Sequence, residues 1–202
     1  VTLGAAASFT TGTANATNTL DTLVASGNVS VMTNGGSGDV VLSNTGALSL
    51  GASTVGGSLT ATATGALSLG ASTVGVSLSA TAGGAITDTG TLTVTGTASF
   101  ITQNDDGATI TLDDASSTFG NITARTLNDA GGAAVATAST ADLEIDITEN
   151  ATLGIDTIET AVAGAIRLNA TGGAAITDAN DDAAVDILTG TATLIGDTGV
   201  GV

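Results

Sequence analysis

The chain has no cysteine, proline, histidine, lysine, tyrosine or tryptophan, and its cationic side chains are Arg125 and Arg167 alone. Without cysteine there is no disulfide framework and no thiol chemistry, and redox usage says nothing of the compartment. The missing residue types also remove the usual general base, the thiol and amine nucleophiles, and the rings on which sugars stack. Carboxylates, hydroxyls and two guanidiniums remain, a set that points to a non-enzymatic protein. With 19 acidic residues and a formal net charge of -17, the surface repels nucleic acid and anionic lipid, which depend on Lys and Arg clusters. No apolar run is long enough to span a membrane, so no membrane insertion is expected, and neither a signal peptide nor an initiator Met is present. A mature product or an excerpt from something longer is expected.

Large side chains are equally scarce, with Phe9, Phe100 and Phe119 the only aromatics. A core built from Ala, Val, Leu and Ile is narrow, as suits two or three short strands per layer. The 29 glycines and the many Ser and Thr residues weigh against helix, since Gly and β-branched residues lower helix propensity. Ser139 and Asp142 imitate a capping box. The alternation of Leu143, Ile145 and Ile147 favours a strand there instead. A mean hydropathy of +0.45 and regular alternation oppose disorder.

What the chain does contain is a tandem repeat. Residues 46–64 read GALSLGASTVGGSLTATAT and residues 65–83 read GALSLGASTVGVSLSATAG, a period of 19. Apolar and polar residues alternate within each copy, as in Leu59, Ala61 and Ala63 around Thr60 and Thr62, which is the pattern of a strand with one face buried. Near-identical copies in direct succession predict stacked turns of one coil, with Leu48 over Leu67, Val55 over Val74 and Leu59 over Leu78. The expected fold is an all-β β-solenoid with short strands and Gly-rich turns. At about 20 residues per coil the chain makes about 10 coils and a rod about 50 Å long.

Weaker echoes extend the pattern. Ser117-Thr118-Phe119-Gly120 matches Ser53-Thr54-Val55-Gly56, and Leu153 to Ile158 matches Leu50 to Val55. Gly173 to Asp178 echoes Gly84 to Asp88. Asn34-Gly35-Gly36-Ser37-Gly38 reads as a turn. Only Asp21, Asp39 and Asp88 among the acidic residues precede residue 102, and the other 16 follow it. The reading is a single solenoid over 1–202 with a neutral half, 1–101, and an acidic half, 102–202, because the motif crosses the break; two domains are the alternative.

The carboxylates of the acidic half are the candidate chemistry. Asn104-Asp105-Asp106-Gly107 with Asp113 and Asp114 offers hard oxygen ligands in a turn-like setting. Asp178-Ala179-Asn180-Asp181-Asp182 with Asp186 does the same, and Ca²⁺ is the ion such groups would take. Solvated loop carboxylates are the simpler reading, because no complete EF-hand or nonapeptide pattern accompanies them. Neighbouring carboxylates on a strand point to opposite faces, which disfavours an acid/base pair for cutting polysaccharide. Arg125 and Arg167 are expected to pair with local carboxylates. Sequons at Asn15, Asn28, Asn121, Asn150 and Asn169 permit glycosylation. Rows at Thr60, Thr62 and Thr64, at Ser79 and Thr81, and at Thr91, Thr93 and Thr95 could form hydroxyl ladders like those of ice-binding solenoids. Outward Thr on strands explains them more simply.

The phrases GGAITDTGTLTVTGTASF at 83–100, LSLGASTVGGSLTAT at 48–62, and GGAAITDANDD with LTGTATL between 172 and 194 are similar to repeats of very large bacterial surface proteins of the filamentous haemagglutinin-like class. That resemblance implies a right-handed parallel β-helix, export to the cell surface or medium, and an adhesive or structural role. It supplies no catalytic residues and no required cofactor. Two roles follow: a rigid stalk segment of a secreted or surface-anchored protein, or the subunit of an extracellular filament that stacks end to end. The partners would be flanking repeats or further copies, meeting through terminal coils, and host-cell, matrix or polysaccharide ligands.

Overall fold

The computed structural model describes residues 1–128, 143–161, 163–180 and 184–201. The described residues form an all-β parallel solenoid of about 8 turns, without a helix. Every strand pairing is parallel, and each strand lies beside the strand one winding later in the chain. The tandem copies stack as their period requires, with Leu48 opposite Leu67, Val55 opposite Val74 and Leu59 opposite Leu78. The count is about 8 rather than about 10 because later windings are longer. Leu59 and Leu78 are 19 residues apart, Ile86 and Ile110 are 24 apart, and Ile110 and Ile145 are 35 apart. At about 4.8 Å per winding the stack is about 40 Å tall.

The core is a set of axial columns. One runs through Leu48, Leu67, Ile86, Ile110, Ile145 and Ile166, all almost fully buried. Each contributes about 1.5–3 kcal/mol by leaving water. A second column shows how the narrow core admits a large side chain. Leu59 and Ala61 are followed one winding on by Leu78 and Ala80, then by Ala98 and Phe100, then by Ile122 and Ala124. The large and small positions exchange at Phe100, so interior volume is conserved across the winding. Phe100 meets Phe119 edge to face at 5.8 Å and 75°, a favoured aromatic geometry.

Corners are set by glycine and by inward hydroxyls. Gly75 lies directly over Gly56, and a Cβ on it would strike the Gly56 carbonyl. In the following winding the corner becomes a bulge within one strand, Leu92–Gln103, which pairs with both Ser72–Val74 and Leu78–Ala82. Where the ladder leaves an amide unpaired, a side chain one winding on accepts it. Ser53 Oγ takes the Val31 N–H at 3.1 Å and Ser117 Oγ takes that of Leu92 at 3.0 Å.

Two of the weaker echoes are misplaced. Ser117 to Gly120 does continue the Val55 column, since Phe119 stacks on Val94. Ile158 instead lies over Ala124, in the column of Ala61 rather than that of Val55. Ile176 pairs with Leu153, while the column of Ile86 continues through Ile166. Every face alternates small polar and apolar residues, so a short motif fits any face once winding length changes. Ile145–Glu149 is a strand, as its alternation requires; Ser139 to Asp142 lie outside the described residues.

Candidate functional site

The outward columns change character along the rod. Thr54, Thr73, Thr93 and Thr118 form one ladder. Thr60, Ser79, Ser99 and Thr123 form another on a different face. Thr93 therefore does not extend the row of Thr60, and Thr62 and Thr81 are followed by Ile101. The expected hydroxyl rows thus divide between faces. A third column begins Ser49, Ser68, Thr87, Thr111 and continues Asp146, Arg167. Arg167 grips Asp146 with Nε at 2.8 Å and Nη2 at 2.5 Å, and these bonds hold its guanidinium above its ordinary pKa. Arg125 donates from Nε to Glu159 Oε2 at 2.7 Å. Both arginines thus sit on a carboxylate in the adjoining winding, as expected.

The candidate carboxylates are put to several uses. Asp105 and Asp106 occupy a tight turn in which Asn104 Oδ1 accepts the Asp106 N–H at 2.9 Å and Asn104 O accepts that of Gly107 at 3.0 Å. Asp113 and Asp114 stand over Asp88. The carboxylate of Asp88 accepts the Asp113 amide at 3.2 Å and the Asp114 amide at 3.1 Å. Asp114 in turn accepts from Ser116 N at 2.9 Å and from the Thr91 hydroxyl at 3.2 Å. Partial burial raises the Asp88 pKa; the two amides oppose it, and the neighbouring charges of Asp113 and Asp114 add to it. Asp178 Oδ1 accepts the Asn180 N–H at 2.8 Å. Asp186 and Asp178 edge a hollow of about 200 Å³ floored by Ile155, Ile176, Ile187 and Leu194. Asp181 and Asp182 lie outside the described residues. Among the described residues no three His, Cys, Asp or Glu side chains come together as a metal-binding group.

Three acidic positions escaped the sequence reading. Asp156 sits at a bulge and accepts from the Thr123 hydroxyl at 2.7 Å and from Asn180 Nδ2 at 2.5 Å. Those bonds lower its pKa. Glu144 and Glu149 are inside the solenoid, 1% and 0% exposed. Glu149 Oε2 accepts the Phe119 N–H at 3.1 Å, and Oε1 has no partner among the described residues. Burial lifts this carboxyl to about 8 against the pull of the Phe119 amide, so it carries a proton at neutral pH. The signal was available: Ile145, Ile147 and Glu149 share one side of a strand.

The wall offers two further concavities. An axial groove of about 380 Å³ crosses four windings past Ala25, Ala47, Ala66 and Ala85, with Ser49 and Ser68 on its edge. A shallower dent of about 450 Å³ opens beside Gly83, between Thr64, Thr81 and Asn104. Neither is lined by an aromatic ring or a charged side chain.

Residues 37–68 and 62–126 match, in two overlapping stretches, a family described as repeats of unknown function (DUF5649). They take in the tandem windings and the Phe100 exchange, and together they cover just under half of the chain. No curated protein and no solved structure matches. The chain is a repeat protein of β-solenoid fold, similar over those windings to a repeat family without an assigned activity.

Proposed function

We propose that this chain is a non-enzymatic extracellular segment, a rigid stalk of a large secreted or surface-anchored bacterial protein, whose walls present adhesive faces. The observation that carries this reading is the unbroken set of buried columns. Windings added along one axis lengthen such a body without altering its cross-section. The hydroxyl and carboxylate walls favour contact with polysaccharide or matrix over nucleic acid or lipid. The resemblance to filamentous haemagglutinin-like repeats supports a place at the cell surface. Immunogold labelling of intact source cells with antibody to the solenoid tests this: surface label is expected, and label seen only after permeabilisation overturns it.

The second reading is a filament subunit stacking end to end. It is favoured by the all-parallel ladder, in which an outermost winding offers its strand edges to a winding of another copy. Electron microscopy of the isolated chain separates the two, since spontaneous fibres support the filament and dispersed short rods the stalk. No cofactor is required by either reading. Ca²⁺ at the Asp105 to Asp114 and Asp178 to Asp186 turns would stiffen the acidic half. A melting curve unchanged by chelator removes that role.

A further inference from the structure

Asn34 is the only asparagine in this chain that glycine follows. It ends the strand Val29–Asn34 and opens the turn that leads to Val40–Asn44. Residues 34–37 are all exposed. Gly35 has a φ of +94°, and a Cβ on it would lie 2.6 Å from Asn15 Oδ1, so the turn requires glycine there. Its carbonyl lies beneath Gly56 of the next winding, where a Cβ on Gly56 would strike it.

Hydrogen bonding leaves one group of this turn unspent. Asn34 donates its N–H to Thr11 Oγ1 at 2.9 Å, accepts the Asn15 amide at 2.6 Å, and donates from Nδ2 to Gly12 O at 3.2 Å. Asn15 Oδ1 in turn accepts the Ser37 N–H at 3.2 Å. The Gly35 N–H has no acceptor among the described residues. An exposed carboxamide therefore adjoins an exposed amide nitrogen that has no hydrogen bond to break and no Cβ to crowd it. Comparable steps lack one of these features. Asp106-Gly107 is the one Asp-Gly step, but the Gly107 N–H is bonded to Asn104 O at 3.0 Å, and an ionised carboxylate resists attack. Asn15 and Asn44 precede bonded amides, Ala16 N to Thr13 O at 3.3 Å and Thr45 N to Leu23 O at 3.0 Å.

We propose that the Asn34-Gly35 step is a site of spontaneous covalent modification, at which the folded chain converts asparagine through a succinimide to aspartate and isoaspartate. The Gly35 nitrogen gives its proton to hydroxide and bonds to Cγ of Asn34. The Cγ–Nδ2 bond breaks, and the departing nitrogen takes a proton from water and leaves as ammonia, which restores the hydroxide. Water then opens the cyclic imide at either carbonyl. Hydroxide acts as the base, so the step quickens as pH rises. Conversion places a new negative charge in the neutral half and removes the Nδ2 donor from Gly12 O, at a corner on which the next winding rests. The site is independent of the stalk reading.

The test is a time course on the folded full chain at 37 °C and pH 8.5, with the same chain unfolded in guanidinium chloride alongside. Pepsin digestion at low pH followed by mass spectrometry locates each amide-to-acid conversion, and enzymatic methylation of isoaspartate reports that product. In the folded chain Asn34 converts about tenfold faster than any other asparagine, which corresponds to a barrier lower by about 1.4 kcal/mol. Early ammonia release is lost in Asn34→Gln, while the wild-type time course needs no variant. Asn34 still intact when the unfolded chain has converted overturns the proposal, because the fold then holds the carboxamide out of reach of the Gly35 nitrogen. So does any other asparagine converting first in the folded chain.

Discussion

The two tandem copies look interchangeable, yet deleting one differs in consequence from deleting the other. Removing residues 65–83 leaves the first copy in place, and the following winding meets the same Leu, Ser, Val and Ala interior it met before. Ile86 lands on Leu48, Val94 on Val55 and Phe100 on Ala61, in place of Leu67, Val74 and Ala80. Removing residues 46–64 brings the second copy onto the winding below, where two substitutions matter. Gly57 becomes Val76, and a Cβ at Gly57 collides with Asp39 Oδ1 and comes within 3.0 Å of the Gly38 backbone. That same Asp39 oxygen accepts the Ser58 amide at 2.7 Å. Thr64 becomes Gly83, which loses the hydroxyl that accepts the Gly46 amide at 2.7 Å. A charged hydrogen bond contributes about 1.5–3 kcal/mol and a neutral one about 0.5–1.5. The 46–64 deletion should therefore be less stable than the 65–83 deletion by about 2–4 kcal/mol, or about 5–15 °C in Tm. The 65–83 deletion should keep the β circular dichroism per residue of the parent. Its urea m value should fall by about a tenth, in proportion to the surface removed. Parallel melts of the three chains decide the matter. Equal stability of the two deletions, or an unfolded 65–83 deletion, would refute the reasoning.

Phe100→Ala should cost about 3–5 kcal/mol, and adding Ala98→Leu should recover more than half of it by restoring the Leu-x-Ala pattern of the windings below; urea titration measures both. Gly75→Ala should destabilise by about 1–3 kcal/mol through its collision with Gly56, with Gly36→Ala, where a Cβ meets nothing within 4 Å, as the control. For Glu149 the folded carboxyl at about 8 holds a proton that the unfolded chain releases near its ordinary value of 4.5. The native state thus binds more protons between those values, and the contribution of this residue to stability declines as pH rises through that window. Glu149→Gln stays neutral throughout, so the stability difference from wild type should widen in its favour from pH 5 to pH 8. A constant difference would mean that Glu149 is ionised in the fold.

Period and alternation made the scaffold legible. A repeat of 19 residues with inward Leu, Val and Ala has few ways to hide its apolar face other than stacking on its own copy. The pairings of Leu48, Val55 and Leu59 were therefore available from the residues alone. The acidic turns were legible as turns, because Asn104, Gly107 and Asn180 carry strong local preferences. What each carboxylate does was not, since Asp88 caps amides 25 residues further on.

Sequence by itself determined an all-β coil with a narrow aliphatic interior and a strongly anionic composition, because composition limits which side chains can fill a core and which charges the chain carries. Tertiary structure decided the register wherever winding length changes. It moved Ile158 and Ile176 to other columns, exchanged Ala98 with Phe100, and buried Glu144 and Glu149 inside the solenoid. Those outcomes depend on how many residues the chain spends between faces, a long-range quantity that no local pattern encodes.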